Sequence, residues 1–254
     1  MPPATTPLKT EPRLSRPVQV AEAIKDWVVE QGLRAGDRLP GEADLIARFG
    51  MAKGTIREAM RILEAQGLIK TRTGPGGGSF VHEVSRQRAK ALLGNYFYFR
   101  SLTIDDIYQL RLLLEPEMAA SLAGQLPDEV LDRLAAIVDG YAEPARSPDE
   151  EREQHIASLG FHALLAEKAS NPLLGFIIDF MVNLLSDLTV YRKLYAPPNL
   201  ELWERGRDHQ QRLIEALRDG KPEAARGIMA AHMETAWSLM RGQEAEMLRR
   251  FISE

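Results

Sequence analysis

The densest basic stretch of this 254-residue chain lies in MAKGTIREAMRILEAQGLIKTRTGPGGGSFV, residues 51–81. Residues 48–72 carry six Lys/Arg against two Asp/Glu. On a helix turning about 100° per residue, Ile56, Met60 and Leu63 form one apolar stripe, and Lys53, Arg57 and Arg61 fall about a quarter-turn away. A helix docked on its own domain by one side and cationic on the next can enter a DNA major groove. Its first residues then meet base edges and its arginines meet phosphate or guanine. Read alone, such a flank is usually a solvated charged face, so its neighbours must decide. Arg111 is the second residue with chemistry to offer. It sits in the strongly apolar run IYQLRLLLEPEMAA, and a buried arginine needs an anionic partner. That partner is either Glu115, four residues on, or a ligand carboxylate gripped by the guanidinium fork.

These side chains need elements to hold them. A first amphipathic helix is expected over 18–31, with Ile24, Trp27 and Val28 at core spacing. LRAGDRLP reads as a turn-rich connector. A short helix follows in GEADLIARFG, with Gly41 as a tolerable cap and Gly50 as the stop. The basic helix runs from Lys53 to Gln66 and ends at Gly67. LIKTR and SFVHE, joined by TGPGGG, read as a two-stranded hairpin. Three helices and a hairpin form the pattern of a winged helix-turn-helix. In that context Lys53, Gly54, Thr55, Arg57 and Arg61 on the helix, with Arg72, Gly76 and Gly77 in the hairpin, are the residues expected to meet DNA. The glycines permit positive φ and leave backbone N–H groups open to phosphate or the minor groove.

From Ser85 onward strand signals vanish. Seven helical segments are expected at 86–100, 104–125, 127–140, 150–169, 172–195, 200–219 and 221–247, with prolines at most boundaries. The apolar spacing of Ile107, Leu110 and Leu114, and of Leu213 and Leu217, points to an antiparallel bundle. The expected fold is therefore mainly α. A disordered arm covers 1–16, a winged helix-turn-helix 17–84, and an all-helical domain 85–254.

Composition agrees with this division. Residues 1–85 hold 12 Lys/Arg against 10 Asp/Glu, whereas the remainder holds 20 against 26, so positive charge is local to the DNA-reading module. No apolar run reaches the roughly 20 residues that span a bilayer, so no membrane partner is expected. The Pro- and Thr-rich N-terminus lacks a signal-peptide core. With no cysteine there is no disulfide framework, and a cytoplasmic location fits.

The run GDRLPGEADLIARFGMAKGTIREAMRILEAQGLI, with the glycine-rich turn and SFV, resembles the winged-helix domain of the GntR superfamily of bacterial transcription regulators. The remainder, with IYQLRLLLEPEMAA, FHALLAEKASNPLL and late histidines, is similar to the ligand-sensing domain of its FadR subfamily. Together the likenesses span nearly all of residues 18–245. They imply a dimeric regulator, most often a repressor, on palindromic operator DNA. The helical domain would sense a small organic acid, a sugar acid or, less often, an acyl-CoA. Arg111 would face its cavity and hold the effector. Two departures stand in the DNA module. Ala43 replaces a customary arginine, and the recognition helix opens Ala52-Lys53-Gly54 in place of Ser/Thr-Arg-Thr. Ala52 forgoes a cap of typically ~1 kcal/mol, Gly54 costs roughly as much again, and Lys53 gives up the bidentate fork for guanine. A loose helix start that orders on DNA, and an operator unlike the family's usual one, are the expectations.

His162, His209 and His232 lie on three separate predicted helices, and singly each reads as a surface or core histidine. The resemblance places them at the histidine positions of a metal site, where zinc, nickel or a similar divalent ion suits three neutral imidazoles. The family's aspartate position holds Ser158, four residues before His162, which supplies no charge. The resulting alternatives are a three-histidine site completed by water or effector, and a purely organic pocket. His155 lies two turns from His162, too far along the axis to share an ion. A three-histidine metal hydrolase is the rival reading. Against it stand the lack of HExxH and of a carboxylate adjacent to the histidines to act as general base. A DNA-binding architectural protein whose helical domain only dimerises is a third.

Overall fold

The computed structural model describes residues 14–100, 102–191 and 198–253. The arm expected over 1–16 lies mostly outside them. The chain divides into two compact units between Ala89 and Lys90, slightly past the expected boundary at 84/85.

In the first unit, α1 spans Arg16–Glu30, α2 Glu42–Phe49 and α3 Lys53–Gln66; β1 (Ile69–Arg72) and β2 (Gly78–Val81) form the hairpin. α1 begins two residues before the expected Val18 because Pro17 falls in its first turn, where a fixed φ and a missing N–H cost nothing. Gly41 precedes α2, and the Asp44 carboxylate accepts its backbone N–H at 3.2 Å. Ile24, Leu45, Ile56, Ala59, Leu63 and Ile69 close into one core, with Trp27, Val28 and Met60 packed against it. The expected apolar stripe of α3 thus points inward, and its basic residues lie outside. α3 ends at Gly67 in the left-handed region (φ 81°). There Arg88 donates a hydrogen bond to the Ala65 carbonyl, satisfying an end the helix leaves open.

The hairpin pairs antiparallel from Ile69↔Val81 to Arg72↔Gly78. The preceding connector is more than a turn. Leu39 N–H donates to Ser79 O and Val81 N–H to Asp37 O, both at 2.8 Å, and Arg38 bridges Phe80. Residues 36–39 therefore form a third, strand-like edge of the wing. At its tip Gly77 has no room for a side chain, because a Cβ would meet the Arg72 and Gly74 carbonyls at 2.6 and 2.8 Å.

Among its described residues, every regular element of the second unit is a helix. α4 (Arg86–Tyr98) begins ahead of the division. α5 (Ile104–Leu122), α6 (Asp128–Asp139), α7 (Pro148–Lys168), α8 (Pro172–Tyr191), α9 (Leu200–Arg218) and α10 (Pro222–Ser253) follow. α5 packs on α7, α8, α9 and α10, and α6 joins α7 to α9. Thr103 caps α5 through the Asp106 N–H at 3.1 Å. The inward face of α5 differs from expectation. Leu110 is 48% exposed and Leu113 more so, while Ile107, Tyr108, Arg111, Glu115 and Met118 are buried. A helix apolar nearly all round does not reveal by periodicity which stripe goes inside, and here a charged pair does.

Ala52 precedes α3 in extended conformation (φ −62°, ψ 148°) with no side-chain cap. Ala52→Ser adds an acceptor for the first-turn N–H groups, and we expect it to stabilise the first unit by ~0.5–1 kcal/mol in chemical denaturation.

Candidate functional site

Two sites emerge, one in each unit. In the first, Lys53 and Arg57 extend from α3 towards α2, where they share one carboxylate. Arg57 Nε donates to Glu42 Oε2 at 2.6 Å, and Lys53 Nζ lies 3.1 Å from Glu42 Oε1. These hydrogen bonds, with Arg57 first and Lys53 second, hold the Glu42 carboxyl below its ordinary range. Arg61 pairs with Glu58 at 3.2 Å and stays largely exposed. Gly54 is exposed and Thr55 partly so. Arg72 stacks over the Phe80 ring at 4.6 Å. Gly76, with φ 75° and open space around its Cα, lies at the wing tip beside Gly77. The expected DNA-facing residues are thus accessible, on the two elements named for them. Glu42 is the member that residue spacing could not announce, being 11 and 15 residues ahead of its partners.

In the second unit, α5, α7, α9 and α10 surround a cavity of about 60 Å³. Arg111 is 1% exposed, and its Nε donates to the wholly buried Glu115. Its Nη2 is buried without a hydrogen-bond partner, and Arg111 is among the residues that line the cavity. The ion pair with Glu115 and the cavity-facing position, opposed in sequence, are combined in one side chain. Glu115 has a second partner, His162 Nδ1. Burial pushes the Glu115 carboxyl up, but Arg111 and His162 outweigh it and hold it at about 2. Burial lowers the His162 imidazole from its ordinary value, against the pull of Glu115. With the Glu115 carboxylate accepting from Nδ1–H, the neutral ring presents its lone pair at Nε2. That Nε2 faces His232 Nε2 at 3.2 Å, with the two rings stacked.

His209 lies beside them, its ring centroid 5.6 Å from that of His232. The Nδ1 atoms of His209 and His232 are buried without partners. Among the described residues no three His, Asp or Glu side chains already stand around a common ion position. The donor set fits a divalent cation at two atoms: facing imidazole nitrogens, one oriented by a carboxylate as metal-binding histidines usually are. Ser158 is otherwise engaged. Tyr141 donates its hydroxyl to Gln210 Oε1, and Gln210 Nε2 donates to Ser158 Oγ at 3.2 Å. This neutral chain ends on Ser158, at the position where the resemblance implies an aspartate. His155 also borders the cavity. Its surface is partly accessible, yet burial among protein atoms, with Arg111 second, brings its imidazole down to about 4. Arg207 adds a buried Nε without a partner. One expectation needs correction. A carboxylate does stand beside the histidines, because the fold brings Glu115 there from 47 residues upstream. Held at about 2, it is a poor general base.

Residues 17–81 match the family of bacterial regulatory proteins, gntR family, and residues 106–235 match the FCD domain. The chain belongs to the GntR family and carries an FCD domain. Its relatives include the Exu regulon transcriptional regulator of Escherichia coli K12, 27% identical over 89% of this chain and 84% of that protein. The HTH-type transcriptional repressor NanR of Citrobacter rodentium is 27% identical over 85% and 82%. The Glc operon transcriptional activator of E. coli K12 is 25% identical over 85% of each. All are named as regulators, none as an enzyme. A Streptococcus agalactiae GntR structure shares the fold, with a TM-score of 0.55 at 20% identity over 87% of this chain and 99% of that one. Among the described residues of this GntR-family protein no helix is long and apolar enough to cross a membrane.

Glu115→Ala leaves the Arg111 guanidinium buried without its counter-charge. We expect a loss of about 3–5 kcal/mol in urea unfolding, with Glu115→Gln intermediate. Acid should also weaken the second unit. Unfolded imidazoles take up protons near the ordinary 6.5, whereas His155, His162 and His232 resist them when folded. The unfolded state then binds more protons and stability falls. Melting temperature measured in chelator should drop progressively from pH 6.5 towards pH 4.

Proposed function

We propose that this protein is a cytoplasmic, ligand-responsive transcription regulator of the FadR subfamily. It binds palindromic operator DNA as a homodimer and acts as a repressor when its effector site is empty. The observation that carries the reading is the coexistence in one chain of an exposed cationic recognition helix and a cavity lined by Arg111, whose buried guanidinium has an unpartnered N–H. An unpaired donor at such depth is costly, and a carboxylate ligand would remove that cost through a charge-assisted bond. Arg111 is accordingly the effector-binding residue, assisted by Arg207 Nε. DNA contacts fall to Lys53, Gly54, Thr55, Arg57 and Arg61, and to Arg72, Gly76 and Gly77 of the wing. Matched two-fold symmetry of dimer and operator follows the usual rule for such modules.

Size speaks to the effector. About 60 Å³, at roughly 10–15 Å³ per water-sized position, accepts a short organic acid and favours it over an acyl-CoA. We further propose a divalent ion of zinc or nickel type on His162, His209 and His232, with effector or water in place of the absent aspartate. Facing Nε2 atoms and the Glu115 support favour it. The purely organic pocket is the alternative. A three-histidine hydrolase is disfavoured because the nearby carboxylate is committed to Arg111 and His162.

Fluorescence anisotropy on a duplex from the gene's own upstream region tests the DNA reading. Affinity should fall steeply between 50 and 200 mM salt, by ~10³-fold or more for a dimer meeting six phosphates, and Arg57→Ala should weaken it. No binding in dilute buffer would overturn the proposal. For the sensor, short hydroxy- and keto-acids, with and without added zinc or nickel, should raise the melting temperature. At 100-fold excess over Kd the stabilisation is about 2.7 kcal/mol. Stabilisation by acid in chelator alone would select the metal-free alternative.

A further inference from the structure

We infer that Glu42 is a positioning residue for DNA discrimination: its carboxylate fixes Arg57 by Nε, leaves the Nη edge for a guanine, and withdraws Lys53 from indiscriminate phosphate binding. This rests on the DNA-binding function proposed above and adds to it a determinant that is itself anionic.

The geometry is specific. Glu42 opens α2, whose position is set by the buried Leu45 and the Asp44 bond to Gly41 N–H. The rotation of α3 is set by the buried Ile56 and Ala59. A carboxylate on one fixed helix thus meets Arg57 Nε at 2.6 Å and Lys53 Nζ at 3.1 Å on the other. A guanidinium has two hydrogen-bonding edges. With Nε committed to Glu42, the end-on Nη1/Nη2 edge remains, and that fork matches guanine O6 and N7. Lys53 Nζ shares its charge with the other carboxylate oxygen and has less to offer a passing phosphate.

A third consequence concerns the start of α3. Ala52 gives it no cap, so an anion beside the positive end of the helix is favourable. A DNA phosphate would suit the same place, and Glu42 repels it at a range well inside the screening length of about 8 Å. Every non-specific complex bears that repulsion. Only a complex with guanine under Arg57 recovers through the oriented fork. Exposed ion pairs of this kind add little to stability, so the contribution is to selectivity and should leave the melting temperature nearly unchanged.

The test uses the full-length protein, with a preferred duplex obtained by in vitro selection from a randomised library and a scrambled duplex of equal length. In Glu42→Gln we expect several-fold tighter binding to the scrambled duplex. The slope of log affinity against log salt should steepen by about 0.9 for each lysine released to a phosphate. The ratio of preferred to scrambled affinity should fall about tenfold, and selection with the variant should lose its preference at one base pair per half-site. In an Arg57→Ala background the same substitution should leave the ratio unchanged while the gain on scrambled DNA persists. An unchanged ratio in Glu42→Gln, or an equal loss with Arg57 absent, overturns the inference while leaving DNA binding intact. If the wild-type protein enriches no sequence at all, the DNA reading fails and the inference goes with it.

Discussion

A guanidinium cannot lie in the middle of a helical bundle without an anion, and the second unit is organised around that requirement. Arg111 on α5 is neutralised by Glu115 one turn later, and Glu115 in turn fixes His162 on α7. The His162 ring then presents Nε2 to His232 on α10. Three helices are thereby cross-linked by one polar chain. Such chains depend on being complete, because each member is costly when its partner is missing. In that chain Arg111 Nη2 and His232 Nδ1 are left without partners, and both residues line the cavity, so the polar chain that holds the core together also borders the cavity.

The first unit solves a different problem. Its core is small, and α3 must be held at a fixed rotation while its outer side stays cationic. Ile24, Leu45, Ile56 and Leu63 supply the grip. Glu42 makes the outer side less uniformly positive than composition suggests, since two of the cations meet one carboxylate. The cationic flank is better described as a set of directed donors than as a patch.

Much of the architecture is legible in the sequence. Pro148, Pro172 and Pro222 stand at the first position of α7, α8 and α10, where proline is tolerated, and Gly50 and Gly67 stop α2 and α3 in the left-handed conformation. The stripe of Ile56 and Leu63 points inward as its spacing demands. Other features depend on long-range topology. Leu110 and Leu113 are as apolar as the residues that α5 buries, so local pattern could not exclude them from the core. The Arg111–Glu115 pair was visible at a spacing of four, but its meeting with His162 follows from the packing of α5 on α7. Ser158 announced a missing charge. That Gln210 and Tyr141 engage Ser158 in a chain of neutral hydrogen bonds had no sequence signal.

The edge formed by residues 36–39 changes what counts as the wing. Leu39 and Asp37 hold β2 by its main chain, and the Arg38 guanidinium donates to the Gly77 carbonyl at 2.7 Å, at the very tip. The hairpin is therefore no autonomous flap that can be exchanged between relatives as a cassette of residues 69–81. A chimaera that imports a foreign tip must import the matching segment between α1 and α2 as well, or leave the new loop without its anchor.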